Sequence, residues 1–224
     1  NLVISSDYDY VGLFSIVEGG KIKNLTMENV AIKGTKASAS VGAFVGSCNT
    51  LYGYGLENLS VVGSSIIEGS SSGASYVGGI VGKSSNNYII NCYSMATLKS
   101  NNTSTFVGGI AGYCGNSAEY TIEKSYFAGS ITGSLGSNIG GIIGYNFGTA
   151  VGCYFLNTAA TYGIGGSSSN SGATPTTSAN MKLDATYSGW DSSIWYFNNG
   201  VEYPSLRALP PYIKQITING KPVG

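Results

Sequence analysis

The groups that could carry chemistry in this 224-residue chain are eleven carboxylates, four thiols and seventeen phenols; histidine is absent. Without an imidazole there is no Ser-His-Asp or Cys-His nucleophile system and no HExxH zinc constellation. Carboxylate pairs remain as a route to glycoside hydrolysis. A carboxylate cluster holding a hard cation beside a basic group remains as a route to lyase chemistry. Asp7 lies close to Asp9, and Glu119 less closely to Glu123, while Asp184, Asp191 and Glu202 fall toward the C-terminus. The other acids are scattered. The expectation is therefore a chain that is not an enzyme, with no cofactor and no catalytic or metal-binding residue.

The phenols suggest recognition instead. Tyr52, Tyr54, Tyr88, Tyr113 and Tyr145 lie beside segments of variable length. An aromatic face stacks on a sugar ring and a phenolic hydroxyl adds a hydrogen bond. These five are the candidate ligand contacts, for a glycan or a host or matrix protein; the competing reading is packing along the edges of a repeat. Other partners are disfavoured. Net charge is zero and Arg207 is the single arginine, so nucleic acid has no basic patch to meet. No apolar run approaches the length of a bilayer span, so no membrane insertion is expected. With 42% hydrophobic residues, the chain is also too apolar for a disordered linker.

The elements that position these groups come from a repeat. A block of the form aromatic-Val-Gly-Gly-Ile-Val-Gly begins, at its first aliphatic residue, at Val11, Val41, Val77, Val107 and Ile139. A second block follows each copy, with Leu25, Leu59, Cys92, Ser125 and Cys153 at one shared position. Val, Ile, Tyr, Phe and Thr dominate both blocks and Gly, Ser and Asn clusters bound them, which predicts short strands. A unit of about 30 residues cannot bury its own apolar side, but stacked units can. The fold expected is all-β: a parallel β-helix (β-solenoid), right-handed, of about five rungs with an aromatic C-terminal cap.

Finer expectations follow from the same alignment. The Gly-Gly pairs mark corners or close backbone approaches. The shared second-block position faces the coil interior, and Asn24, Asn58 and Asn91, just before it, stack as an amide ladder that Lys124 and Gly152 break. Segments 47–55 and 69–75 should bulge as loops. Cys48 and Cys114 share one repeat position, Cys92 and Cys153 another, and each pair is two units apart. At about 4.8 Å per rung that is about 10 Å, beyond disulfide reach. Buried free thiols are expected, and a bridge from a loop cysteine to a neighbouring rung is the alternative. The domain reading is a solenoid over 1–165, a loop (163–180) and capping segment to 207, and a linker over 208–224 leading to a following domain. In the capping segment, Trp190 and Trp195 are expected to cover the open end of the coil.

The unit resembles the GLUG-type repeat of bacterial surface proteins. The residues that carry the likeness are Gly79-Ile80-Val81-Gly82, Gly109-Ile110-Ala111-Gly112, Gly141-Ile142-Ile143-Gly144 and Asn91-Cys92-Tyr93, with the closing Gly189-Trp190-Asp191 and Tyr203-Pro204-Ser205-Leu206. The first unit departs from it at Phe14-Ser15-Ile16. The resemblance implies an exported protein, secreted or on the bacterial cell surface, of the adhesin kind or the non-catalytic part of an immunoglobulin A metallopeptidase. It brings no catalytic residues, and it implies a piece of a larger multidomain chain. A purely structural spacer is the alternative function, and a carbohydrate-active β-helix enzyme a second.

Overall fold

The structure is a computed structural model that describes residues 2–50, 55–115, 121–134, 136–146 and 149–207, with 217–218 and 221–222. Four parallel sheets wind into a β-solenoid. The first sheet stacks Val3–Ser6, Ala31–Gly34, Ile66–Glu68, Thr97–Ser100 and Ser130–Gly133. The second stacks Tyr10–Val11, Ser40–Gly42, Tyr76–Gly78, Phe106–Gly108 and Ile139–Gly140. The third stacks Phe14–Glu18, Val45–Asn49, Val81–Ser85, Ala111–Gly115 and Ile143–Asn146. The fourth runs from Ile22–Glu28 and Gly55–Val62 through broken strands in the later rungs. Each rung contributes one strand, whole or broken, to every sheet, so the five sequence units are five rungs.

Equivalent residues pair in register. Val41, Val77, Val107 and Ile139 form one column, and Val45, Val81, Ala111 and Ile143 another. Side chains alternate across a strand, so these columns fill the interior. Val41, Phe44, Ile80, Ile110 and Ile142 are fully buried, as are Leu59, Cys92, Ser125 and Cys153 at the second-block position. Leu25, in the first rung, is half-buried.

The Gly-Gly pairs mark close approach rather than a left-handed backbone. A Cβ on Gly109 would lie 2.1 Å from the Gly141 carbonyl oxygen and 2.4 Å from the Phe127 ring. The rungs stack there with nothing larger than hydrogen between them. The residue before the interior second-block position is different: Asn24, Asn58, Asn91, Lys124 and Gly152 all have φ between 44° and 59°. Asparagine tolerates this conformation, and the expected amide ladder forms. Asn58 Nδ2 donates to Asn24 Oδ1 (2.9 Å) and Asn91 Nδ2 to Asn58 Oδ1 (3.2 Å). Where the ladder stops, indoles replace it. Trp195 Nε1 donates to Asn91 Oδ1 (3.4 Å) and Trp190 Nε1 to the Gly152 carbonyl (3.2 Å).

Three expectations need correction. Residues 47–49 belong to the strand Val45–Asn49, so segment 47–55 is not wholly a loop. Residues 163–176 are not a plain loop but a closing layer. Ala173–Thr176 pairs with Cys153–Leu156, Ile164 bridges Ile143, and Gly163 O accepts from the N–H groups of Ile142 and Ile143. The edge of the last rung needs backbone partners, and a small-residue stretch can follow it closely. The aromatic segment, freed of that role, covers a flank instead of the end. Met181, Tyr187, Trp190 and Trp195 pack on Tyr93 and Tyr126, whose side chains project outward from successive rungs of the fourth sheet. Most of the linker expected over 208–224 lies outside the described residues; Thr217–Ile218 and Lys221–Pro222 form a short antiparallel pair.

Candidate ligand-binding face

The outer faces of the second and third sheets carry the candidate site. A Cβ on Gly112 would lie 2.5 Å from Val77 N, and one on Gly144 2.7 Å from Val107 N. These glycines let the third-sheet strand of each rung lie against the second-sheet strand of the rung before. Outward aromatics on the two strands are thereby brought side by side. Tyr76 meets Tyr113 edge-on with ring centroids 5.3 Å apart, and Phe106 meets Tyr145 in the same way at 5.1 Å. Along the coil axis, rung register stacks Tyr76 on Phe106 (5.2 Å) and Tyr113 on Tyr145 (6.1 Å). The result is a two-by-two array of half-buried rings drawn from three rungs. Lys83 Nζ lies 5.5 Å from the Tyr113 ring centroid, within cation–π range. Desolvation, then the Tyr76 and Tyr145 phenols, push the Tyr113 phenol up from its ordinary value.

Of the five sequence candidates, the structure brings Tyr113 and Tyr145 together. Tyr88 is half-buried in the strand Tyr88–Ile90, in a different sheet. Tyr52 and Tyr54 lie outside the described residues. Tyr76 and Phe106 complete the array but are not among the sequence candidates, although both lead a Val-Gly-Gly block; that shared lead position, repeated in successive rungs, is the available signal. The array offers apolar ring faces, three phenolic hydroxyls and one ammonium group. It is suited to stacking and hydrogen bonding.

The acids are dispersed. Asp9 pairs with Lys36 at 2.9 Å and Asp7 is exposed. Glu123 Oε1 accepts from the Thr121 hydroxyl, and Asp191 Oδ1 from the Ser193 N–H, which holds the Asp191 carboxyl below its usual range. Asp184 and Glu202 are exposed, and Glu119 lies outside the described residues. Among the described residues, no group of three or more Cys, Asp or Glu side chains could hold a metal ion. All four cysteines are free and buried, and desolvation pushes each thiol up to about 12. Among the described residues, no helix is long and apolar enough to cross a membrane.

The fold and its outward array define a parallel β-solenoid of stacked repeats. No family model and no curated protein matches the chain. Among solved structures it is similar to a putative immunoglobulin A1 protease from Bacteroides ovatus, with a TM-score of 0.56 and 21% identity over 93% of this chain and 67% of that one. At that identity the likeness is one of fold.

Proposed function

We propose that the chain is a non-catalytic, GLUG-type binding module of an exported bacterial surface protein, and that it holds a glycan or a host or matrix protein. The observation that carries this reading is the ring array of Tyr76, Phe106, Tyr113 and Tyr145. Four aromatic side chains are placed outward at one corner of the coil, with the Lys83 ammonium beside the Tyr113 ring. The dispersal of the carboxylates among the described residues supports a repeat region with no catalytic group of its own, and the likeness to a putative protease is one of fold.

The test is binding of the purified chain to a broad glycan array and to matrix proteins, with bound material checked by mass for cleavage. Binding that falls at least about tenfold in Tyr113→Ala, with Tyr88→Ala unchanged, supports the module; loss of one central aromatic anchor commonly costs that much. Absence of binding favours the spacer, in which the rings only reinforce rung stacking. Cleaved product sinks the non-catalytic reading.

A further inference from the structure

A polar cleft of about 300 Å³ opens on the first sheet, where its strands run into their turns. Register sets Lys33, Glu68 and Lys99 side by side there on successive rungs. The Glu68 side chain is 19% exposed. Lys33 Nζ lies 2.7 Å from its Oε1, and Asn101 Nδ2 donates to the same oxygen at 3.0 Å. The Lys33 hydrogen bond, above all, holds the Glu68 carboxyl below its usual range, so it is charged at neutral pH. Among the described residues no donor bonds to the other oxygen, Oε2; Lys99 Nζ stands 4.0 Å from it, beyond hydrogen-bond reach. Asn101 uses its second amide hydrogen on Gly69 O at 2.9 Å. Its orientation is thereby fixed, and Oδ1 is left as an acceptor with no donor among the described residues. One wall of the cleft is the turn after Glu68, which includes Ser70 and Ser71. Between paired positions this stretch, Ile66 to Tyr76, is one residue longer than Ala31 to Ser40 or Thr97 to Phe106. Bonds to both neighbouring rungs hold it: Ser70 Oγ donates to Thr35 O (3.2 Å), Ser38 N to Ser72 O (3.3 Å) and Asn102 Nδ2 to Ser71 O (3.4 Å).

We infer that this cleft binds a neutral sugar through adjacent hydroxyl groups. One hydroxyl donates to Glu68 Oε2 and accepts from Lys99 Nζ, filling the gap between them, and a neighbouring hydroxyl donates to Asn101 Oδ1. A charged acceptor beside a charged donor, with an amide fixed next to both, matches the alternating donors and acceptors of a polyol. The Glu68 charge disfavours an anionic ligand, and the lining has no aromatic or aliphatic side chain to favour an apolar one. The competing reading is a column of ion pairs that only links rungs, for which exposed pairs contribute little. The cleft is on a different sheet from the ring array and does not rest on that site's reading.

The test is titration of the full chain, labelled with nitrogen-15, with glucose, galactose, mannose, fucose and N-acetylglucosamine, and with glucuronate as the anionic comparison. At least one neutral sugar should shift the Asn101 side-chain amide and the Gly69 and Ser71 backbone amides together, saturating with a Kd of about 1–10 mM. Glu68→Gln keeps the shape of the side chain and should weaken that binding at least about tenfold. Ser71→Leu breaks none of the bonds named above but crowds the cleft. It should abolish the sugar-induced shifts while leaving the melting temperature within about 2 °C of the parent. That pair of results separates loss of a site from loss of the fold. The inference is overturned if no neutral sugar gives a saturating shift, if glucuronate binds in place of the neutral sugars, or if Glu68→Gln binds as the parent does. Shifts confined to residues around Tyr113 and Tyr145 would also overturn it, while leaving the ring-array reading intact.

Discussion

Single residues here are judged by what stacks above and below them. Asn58 has ladder bonds on both sides and a left-handed backbone. Asn58→Ala removes both bonds and puts alanine into a conformation costing it about 1–2 kcal/mol, so a loss of about 2–3 kcal/mol is expected by denaturant melting. Asn58→Gly, which keeps the conformation, should lose less; equal losses would mean that the bonds alone matter. Ile80 is fully buried and its N–H and that of Val81 bond to Ile110 O. Ile80→Asp places an unpaired charge in the interior and should abolish soluble expression. The thiols should be silent. With values near 12 and no solvent access, none should react with a thiol reagent at pH 8 until denaturant is added, when all four should. An unreduced mass two hydrogens lighter would contradict the free-thiol assignment.

At the scale of elements, glycine decides how closely strands approach. Gly109 touches the rung beyond it through backbone atoms, which cannot move aside as a flexible side chain can. Gly109→Ala should therefore be far more damaging than its small volume suggests, with loss of the cooperative melt. Gly189→Ala is a useful control: no atom lies within 4 Å of its Cβ position, and only its φ of 81° opposes the change. The same closeness makes the ring array, so an enlarged residue at Gly112 or Gly144 should disturb tyrosine contacts as well as stability. This couples the candidate site to the strand packing beneath it.

For the whole molecule, the flank segment and the coil should separate at high pH. Desolvation raises the phenols of Tyr93, Tyr126 and Tyr187 above their ordinary value. A raised folded value stabilises the protein fully below the unfolded value of about 10 and loses that contribution as pH climbs through the folded values. All three belong to the cluster that holds both tryptophans against the coil. Tryptophan fluorescence should therefore change above about pH 10 before the far-ultraviolet strand signal does, because among the described residues the interior cluster of the coil contains no tyrosine. Simultaneous loss of both signals would show that the flank segment and the rungs unfold as one unit.

The sequence by itself determined the periodic features. Recurrence of the two blocks specified strand type, rung number, interior columns and the asparagine ladder, because in a stacked coil one rung's register is copied by the next. The absence of histidine bounded the chemistry in the same direct way. Tertiary structure alone decided what lies across from what. The lead aromatics Tyr76 and Phe106 join Tyr113 and Tyr145 because Gly112 and Gly144 let strands of different sheets touch, and which strands lie against each other across rungs is set by the winding of the coil. The roles of the last two segments were also exchanged by the fold. A glycine- and serine-rich stretch follows the bare backbone edge of the last rung, where bulky rings would not fit. The tryptophans go to the flank, where outward tyrosines and the ends of the amide ladder supply both an apolar surface and acceptors for their N–H groups.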